Sequence, residues 1–491
     1  MRIVIVSNRL PVVVENGEEG WRLKGGSGGL VSALAPVLRR RGGLWIGWPG
    51  SAGDESFDVD AALTDFGRRE GYDLVPVPLT DEDRRGFYEG FSNQIIWPLF
   101  HDLQSQCNFE PEFWTSYLDV NTKFADVALK HIQADDFVWV QDYHLMGLGD
   151  RLRRQGVTGR MGFFLHVPFP PPDMFCKLPW RTEVLESLLA YDVLGFQAPR
   201  DLENFSDCMR KLLPAVRRNR EKSTLIIKRG ERTCRVGAFP IGIDFDEFAA
   251  AAATPSVEAR ARELRNDMQD QQIILGLDRL DYTKGIPYRL RAFQLALRRY
   301  PQLHRAVTMM QVVIPSREAV PEYQELKGQI EQLVSQINGE FTQPGWVPIH
   351  HVFRSLDYEE LVAYYRLADV ALLTPIKDGM NLVCKEYCAC QVDGDGVLIL
   401  SEFAGAADQL RRDAVLINPF DMDRVAEALM QAVARTRQQR RPAMRRLRLL
   451  VKRYDVYWWV DQFLEACGLG SSGDPRVGRI ADRPVETPVL L

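Results

Sequence analysis

Residues 372–389 read LLTPIKDGMNLVCKEYCA, and the fold turns on this stretch. The apolar run at 369–374 predicts a buried strand. It breaks at Pro375, Asp378-Gly379 makes a turn, and a helix carrying Glu386 begins near Asn381. Strand, tight turn and helix N-terminus are the parts with which open α/β sheets hold anionic ligands. Here one carboxylate stands just before the helix and another lies inside it. Carboxylates repel phosphate but accept hydrogen bonds from hydroxyls. The stretch therefore predicts a grip on a sugar, with the helix N-terminus facing a phosphate.

The same alternation of apolar strand and helix extends outward in both directions. Strands are expected at 3–6, 44–48, 74–77, 137–140, 162–167, 193–196 and 236–241, with helices at 30–40, 113–130 and 180–190 between them. Short, continuous, uncharged runs are those of parallel strands covered on both faces. The pattern halts at Phe239-Pro240-Ile241-Gly242-Ile243-Asp244 and restarts with a helix at 256–268. Strands follow at 273–277, 309–314, 349–353, 370–374, 397–400 and 414–417. This is an α/β chain of two Rossmann-like domains, 1–242 and 243–451. A final helical run over about 444–467 holds Tyr454, Tyr457, Trp458 and Trp459, aromatic surface that has to be buried on one domain or the other. Residues 468–491, with Gly470-Ser471-Ser472-Gly473 and three prolines, read as a flexible tail.

Composition narrows the function. At 491 residues the chain exceeds one ordinary core, and 46% hydrophobic with 26% charged residues is globular. A net charge of −5 argues against nucleic-acid or membrane-surface binding, though not against small anions held by local charge. No apolar run approaches the roughly 20 residues of a membrane span, and 1–6 lacks a signal-peptide layout. Eight scattered cysteines suit a cytoplasmic protein. Cys384, Cys388 and Cys390 lack a fourth ligand at metal spacing and read as packed thiols, so no metal is expected.

Five groups of residues carry chemistry. Ser7-Asn8-Arg9 closes the first strand at its carboxyl edge, and the glycine cluster Gly25-Gly26-Ser27-Gly28-Gly29-Leu30 opens a helix that can face phosphate. It is neither a dinucleotide fingerprint nor a Walker loop, and a mobile loop is the plainer alternative. Tyr88 and Trp97, nine residues apart with polar residues between, could wall a sugar ring or simply fill a core. Asp142 and His166 end two strands at the edge that also carries Arg9. Arg279 and Lys284 share a loop that can grip a diphosphate or pair with Asp278 and Asp281, and Arg317 ends a similar strand. The fifth is the opening stretch. A ligand pair between two such halves, an anionic acceptor and a diphosphate-linked donor, accounts for all five.

These stretches stand in the order found in the trehalose-6-phosphate synthases. SNR at 7–9, the glycine cluster, FSNQIIWPLFH at 91–101, DYHL at 142–145, FFLHVPFP at 163–170, RLDYTKG at 279–285, PSR at 315–317 and DGMNLVCKEY at 378–387 carry the likeness, which covers about residues 1–465. The chain thus resembles glycosyltransferase family 20, retaining glucosyltransferases of the GT-B fold with a deep interdomain cleft. That likeness implies glucose 6-phosphate on Arg9, Tyr88, Trp97, Asp142 and Arg317. It implies the donor diphosphate on Gly29, Arg279 and Lys284, and the donor glucose on Asp378 with the backbone of Gly379, Met380 and Asn381. Leu382 and Val383 would meet the diphosphate and nucleotide, Glu386 the ribose, and His166 the donor glucose near its reacting carbon.

His166, Arg279, Lys284 and Asp378 are accordingly the expected catalytic set. UDP-glucose is the implied donor, with no cofactor beyond the two substrates, and the oligomeric state is left open. The likeness also implies a terminal helix, about 452–467, crossing back to the first domain. Two positions depart from the pattern: Gln141 stands where many relatives have His, and Asp102 where Tyr is common. A transferase with another phosphorylated acceptor, such as glycerol 3-phosphate, and a silent sugar-phosphate sensor are the competing readings; Tyr88 and Trp97 speak against the former, and retention of Arg279, Lys284 and Asp378 against the latter.

Overall fold

The computed structural model describes residues 2–469 apart from 18–19, 27–28, 52–56, 222–223, 269–270 and 318–320. Ser27 and Gly28 of the glycine cluster, and 470–491 of the expected tail, lie outside the described residues. Two large sheets organise the chain. From edge to edge the first runs Asp73–Pro76, Leu44–Trp48, Ile3–Arg9, Phe137–Gln141, Met161–Phe164, Val193–Phe196, Arg232–Ala238, Thr224–Arg229 and Arg217–Glu221. Its strands pair in parallel as far as Arg232–Ala238, after which the last two turn back antiparallel. The second sheet runs Ile349–Phe353, Val307–Ile314, Gln272–Arg279, Val370–Leu373, Val397–Ser401 and Val415–Ile417, all parallel.

The parallel part of each sheet reverses its strand order once, and in an open parallel sheet ligands bind at that reversal. In the first it falls between Ile3–Arg9 and Phe137–Gln141, and in the second between Gln272–Arg279 and Val370–Leu373. Arg9 and Asp142 therefore flank one switch point, Arg279 and the 374–381 loop the other. The buried strands follow from composition: Ile3, Val4, Ile5 and Val6, or Val370, Ala371, Leu372 and Leu373, bury alternate side chains on both faces.

Several boundaries differ from those expected. The first strand continues beyond Ser7 to Arg9, because an extra residue is accommodated between Val6, opposite Ile46, and Arg9, opposite Trp48. The twenty residues before the glycine cluster contain a β-hairpin, Val12–Gly17 with Gly20–Gly25. The strand Arg217–Glu221, at the sheet edge, was hidden by its charge, whereas Thr224–Arg229, paired on both sides, offers only the short apolar run Leu225-Ile226-Ile227. Edge strands that face water on one side do not need an apolar run. The terminal helical run is two helices, Arg437–Arg453 and Val456–Ala466, broken where Asp455 accepts the Trp458 N–H at 2.8 Å and caps the second.

That last helix packs on the first sheet. Phe463 stacks on Trp139 with ring centroids 4.7 Å apart, and Trp459 lies 5.1 Å from the same indole. Gly162 and Gly195 leave the room: a Cβ on either would come within 2.8 Å of the Phe463 ring. Arg41 holds the helix through Asp461 at 2.8 Å. No described helix is long and apolar enough to cross a membrane.

Candidate active site

The bulge in the first strand aims Arg9. One extra residue reverses which face a side chain meets, and Arg9 thereby comes beside Trp48, its guanidinium 4.3 Å from the ring centroid. Ser7 fixes the irregularity: its hydroxyl accepts from Trp45 Nε1 at 2.7 Å and donates to the Arg9 carbonyl at 2.6 Å. Arg9 also lies 5.8 Å from the Tyr88 ring, which stacks on His144 at 5.8 Å and 13°. Tyr88 sits in a π-helix, Arg84–Ile96, that leads directly into Trp97. The widened turn is visible in its bonds: Trp97 N–H reaches back to the Ser92 carbonyl, and Asn93 Nδ2 donates to the Tyr88 carbonyl at 2.8 Å. π-Helical turns are rare and gather at functional sites.

Arg317 enters this pocket from the second half of the chain. Its guanidinium lies 4.3 Å from the Trp97 ring and donates to Tyr323 Oη at 2.6 Å and Tyr143 Oη at 3.4 Å. Burial pushes the Tyr88 phenol up, but Arg317, Arg9 and Arg279 outweigh it and hold the group below its ordinary value. Neither Arg9 nor Arg317 forms an ion pair with a carboxylate among the described residues. Trp97 Nε1, Arg317 Nε and His144 Nε2 are buried there without a hydrogen-bond partner. The pocket is thus positive and aromatic.

Asp142 and His166 meet behind it. Asp142 holds φ at 70°, a conformation costly for a residue with a Cβ and common at active sites. Its Oδ1 accepts the His166 backbone N–H at 3.1 Å. Burial lifts its carboxyl to about 6, against backbone N–H groups and Arg317 that favour the charged form. His166 has both ring nitrogens engaged, Nε2 with Gln141 Oε1 at 2.9 Å and Nδ1 with Gln197 Nε2 at 3.3 Å. Burial pulls this imidazole down to about 3, so the ring is neutral.

At the second switch point Arg279, the last residue of its strand, is exposed, and its side chain makes no hydrogen bond among the described residues. Lys284 donates to Asp378 Oδ2 at 2.6 Å. Burial would raise Asp378, but Lys284 overturns that and keeps it below the usual carboxylate range. The same side chain accepts from Met380 N at 3.3 Å and Asn381 Nδ2 at 3.2 Å. Asn381, at φ 74°, caps the helix Leu382–Cys390 by accepting Cys384 N–H at 3.1 Å. Leu382 and Val383 open that helix. Glu386 lies one turn in, its Oε2 accepting from Tyr365 Oη at 2.6 Å, and burial raises its carboxyl.

The two switch points close on each other. A Cβ on Gly379 would collide with the His166 carbonyl, so only glycine lets the loops approach this far. Gly29, first residue of the helix Gly29–Arg41, stands against Leu382. Lys377 pairs with Asp102, and Arg200 donates to the Phe403 carbonyl at 2.8 Å across the same gap. The structure thus brings Arg9, Tyr88, Trp97 and Arg317 into one pocket, and sets Asp142, His166, Gly379 and the Lys284–Asp378 pair along the seam between the two halves. Three contributors escaped sequence reading: Tyr143 and Tyr323, which hold Arg317, and Gln197, which holds His166. The first had a signal in Asp142-Tyr143-His144; Tyr323 follows Pro315-Ser316-Arg317 by six residues but carries no motif of its own, and Gln197 lies far from any motif. Among the described residues no group of three or more His, Cys, Asp or Glu is placed to hold a metal ion.

The Glycosyltransferase family 20 model matches residues 1–467. A trehalose-6-phosphate synthase of Mycobacterium bovis is 42% identical over 94% of this chain and 94% of its own length. A solved α,α-trehalose-phosphate synthase (UDP-forming) of Burkholderia xenovorans, in complex with glucose-6-phosphate, superposes with a TM-score of 0.85 at 32% identity, covering 95% of this chain and 100% of that one. A trehalose-6-phosphate synthase structure from E. coli, bound with UDP-2-fluoro glucose, gives a TM-score of 0.84 at 34% identity over 95% of this chain and 99% of that one. With a GT-B architecture and the family model matched almost end to end, this chain belongs to glycosyltransferase family 20.

Proposed function

We propose that this enzyme transfers glucose from UDP-glucose to glucose 6-phosphate, with retention, giving α,α-trehalose 6-phosphate and UDP. One observation carries the reading: two arginines, one from each half and neither paired with a carboxylate among the described residues, stand over aromatic rings at the first switch point, while the second holds a Lys–Asp pair. The chain divides, in this reading, into an acceptor-binding domain at 1–242 and a donor-binding domain at 243–451, with 452–467 returning to the first.

Arg9, Tyr88 and Arg317 hold the acceptor phosphate, Trp97 lies along its sugar ring, and Asp142 accepts from its hydroxyls. Gly29, Arg279 and Lys284 take the donor diphosphate. Asp378 orients the donor glucose with the backbone of Gly379, Met380 and Asn381. Leu382 and Val383 meet the nucleotide end, and Glu386 the ribose. The anomeric hydroxyl of the acceptor attacks C1 of the donor glucose on the face from which the diphosphate departs. The C1–O bond breaks, its electron pair goes to the diphosphate oxygen, and the acceptor proton passes to that oxygen. Arg279 and Lys284 stabilise the developing charge. His166, with both ring nitrogens committed, serves as a neutral wall against the donor sugar and supplies no base.

No cofactor is needed for this route. All eight cysteines are free, which suits a reducing compartment, and we place the enzyme in the cytoplasm.

A donor panel tests the assignment. UDP-, GDP- and ADP-glucose are each offered with glucose 6-phosphate or glycerol 3-phosphate, following nucleotide release and product identity. Turnover with UDP-glucose and glucose 6-phosphate to a non-reducing disaccharide phosphate is expected. Preference for glycerol 3-phosphate would move the acceptor assignment, and no turnover with any pair would favour a sensor.

A further inference from the structure

A single chain of hydrogen bonds runs from His166 through the segment that joins the two halves and ends on the donor helix. Ile241 N–H donates to Gln197 Oε1 at 3.0 Å, and Gln197 Nε2 meets His166 Nδ1 at 3.3 Å. His166 Nε2 meets Gln141 Oε1 at 2.9 Å. On the other side of Ile241, Lys385 Nζ donates to its carbonyl at 2.6 Å and to Gln409 Oε1 at 2.7 Å. Gln141, Gln197, Ile241 and Lys385 are all buried.

The polarity of this chain is dictated at one point. A backbone N–H can only donate, so the Gln197 group facing Ile241 is its oxygen and the group facing His166 is its NH2. The NH2 can only donate, so His166 Nδ1 accepts and the ring proton sits on Nε2, where Gln141 Oε1 receives it. An amide flip at Gln197 would oppose two donors at Ile241. Lys385 enters the same residue from the opposite half. It has no ion-pair partner among the described residues; its charge is met by two neutral oxygens. Lys385 stands in the donor helix beside Glu386, while the His166 carbonyl abuts Gly379 of the donor loop. His166 is therefore tied to the second half both directly and through the crossing segment.

We propose that Gln197 and Lys385 are positioning residues for the transfer: acting through Ile241, they hold His166 in the Nε2–H tautomer and couple its ring to the seating of the donor helix. The sequence likeness assigns neither residue a role. The tautomer leaves the donor sugar facing a ring with no free N–H and no free lone pair, so nothing at His166 competes with the leaving diphosphate for the acceptor proton. The inference rests on the site reading above, but its primary readout does not require turnover.

The test is ring-nitrogen NMR of the full chain labelled with 15N-histidine, which has seven histidines; His166→Gln assigns the signals. The native protein should show Nε2 protonated and Nδ1 bare. Gln197→Glu places a carboxylate, which cannot donate, against Nδ1, and should move the proton to Nδ1 or protonate the ring. Lys385→Met should shift the same resonances in the unliganded protein. In steady-state assays both variants should lose kcat, by roughly tenfold for Gln197→Glu, the equivalent of about one hydrogen bond, with the acceptor KM little changed. Native His166 resonances in either variant would overturn the proposal, even where kcat falls, because a loss of activity without a change at the ring is merely structural. A native protein with Nδ1 protonated would also overturn it.

Discussion

At the first switch point Arg9 lies over Trp48 and Arg317 over Trp97, and neither meets a carboxylate among the described residues, whereas at the second Lys284 is bound to Asp378. Under the proposed function the difference follows from what each pole has to hold. A phosphomonoester carries roughly −1.5 to −2 charges, and a cation already neutralised by a carboxylate would bind it weakly. Aromatic faces hold a guanidinium in place while leaving its charge available. At the proposed donor pole the carboxylate would itself serve sugar hydroxyls, and a buried carboxylate needs a cation beside it. In that proposal Lys284 has two tasks, and Arg279, exposed and unpaired among the described residues, is left to face the diphosphate.

Four substitutions probe this contrast. Lys284→Met should have the largest effect, because it leaves Asp378 buried without its cation, a loss of about 3–5 kcal/mol of stability. Thermal melts should show a clear fall in Tm together with loss of transfer; an unchanged Tm would mean that Asp378 is not dependent on the pair.

Asp142→Asn should go the other way. Burial raises Asp142 to about 6. Between its ordinary value and that one, the folded chain keeps a proton that the unfolded chain has lost. Stability is therefore lost as pH rises through this window, and the full cost stands above it. Removing the charge should stabilise the protein at pH 7.5 by up to about 2–3 kcal/mol while weakening acceptor binding, and the gain should shrink as pH falls toward 5. Melts across pH that run parallel for the two proteins would contradict it.

Arg317→Lys keeps the charge but loses the planar fork that lies on Trp97 and reaches Tyr143 and Tyr323. The acceptor KM should rise about tenfold, a loss of about 1.4 kcal/mol, with the donor KM nearly unchanged; the reverse split would place Arg317 at the other pole. The smallest effect is expected at the rim. Lys377→Ala removes the bridge to the partly exposed Asp102, worth about 0.2–1 kcal/mol, and a Tm change of more than a few degrees would mean that the pair contributes more than a rim contact.

Much of this arrangement was legible in the residues. Parallel strands buried on both faces announce themselves as continuous apolar runs, and their ends named Arg9, Asp142, His166, Arg279 and the 374–381 turn. What stayed hidden was whatever depended on contacts between distant segments. The bulge that turns Arg9 arises from pairing with Leu44–Trp48 and has no local signature. The π-helix under Tyr88 has an ordinary helical composition. Arg317 could be placed with the acceptor only through family likeness, because Trp97 and Tyr143, which share its pocket, lie more than a hundred positions away. The basic edge strand Arg217–Glu221 gave no apolar pattern, and a break such as Tyr454-Asp455 inside a helical run is visible only once the cap forms.

The helix Val456–Ala466 has a consequence for how the chain is made. Phe463 fills a slot lined by Trp139, Gly162 and Gly195. Those three residues leave the ribosome some three hundred positions before it. The first sheet can pair its strands early, yet this apolar face waits, uncovered, until the second sheet has been synthesised. The N-terminal half is therefore not a finished unit during translation. A chaperone that shields the Trp139 face, or rapid completion of the chain, would protect it from aggregation, and a chain truncated before Val456 should be synthesised but accumulate in inclusion bodies.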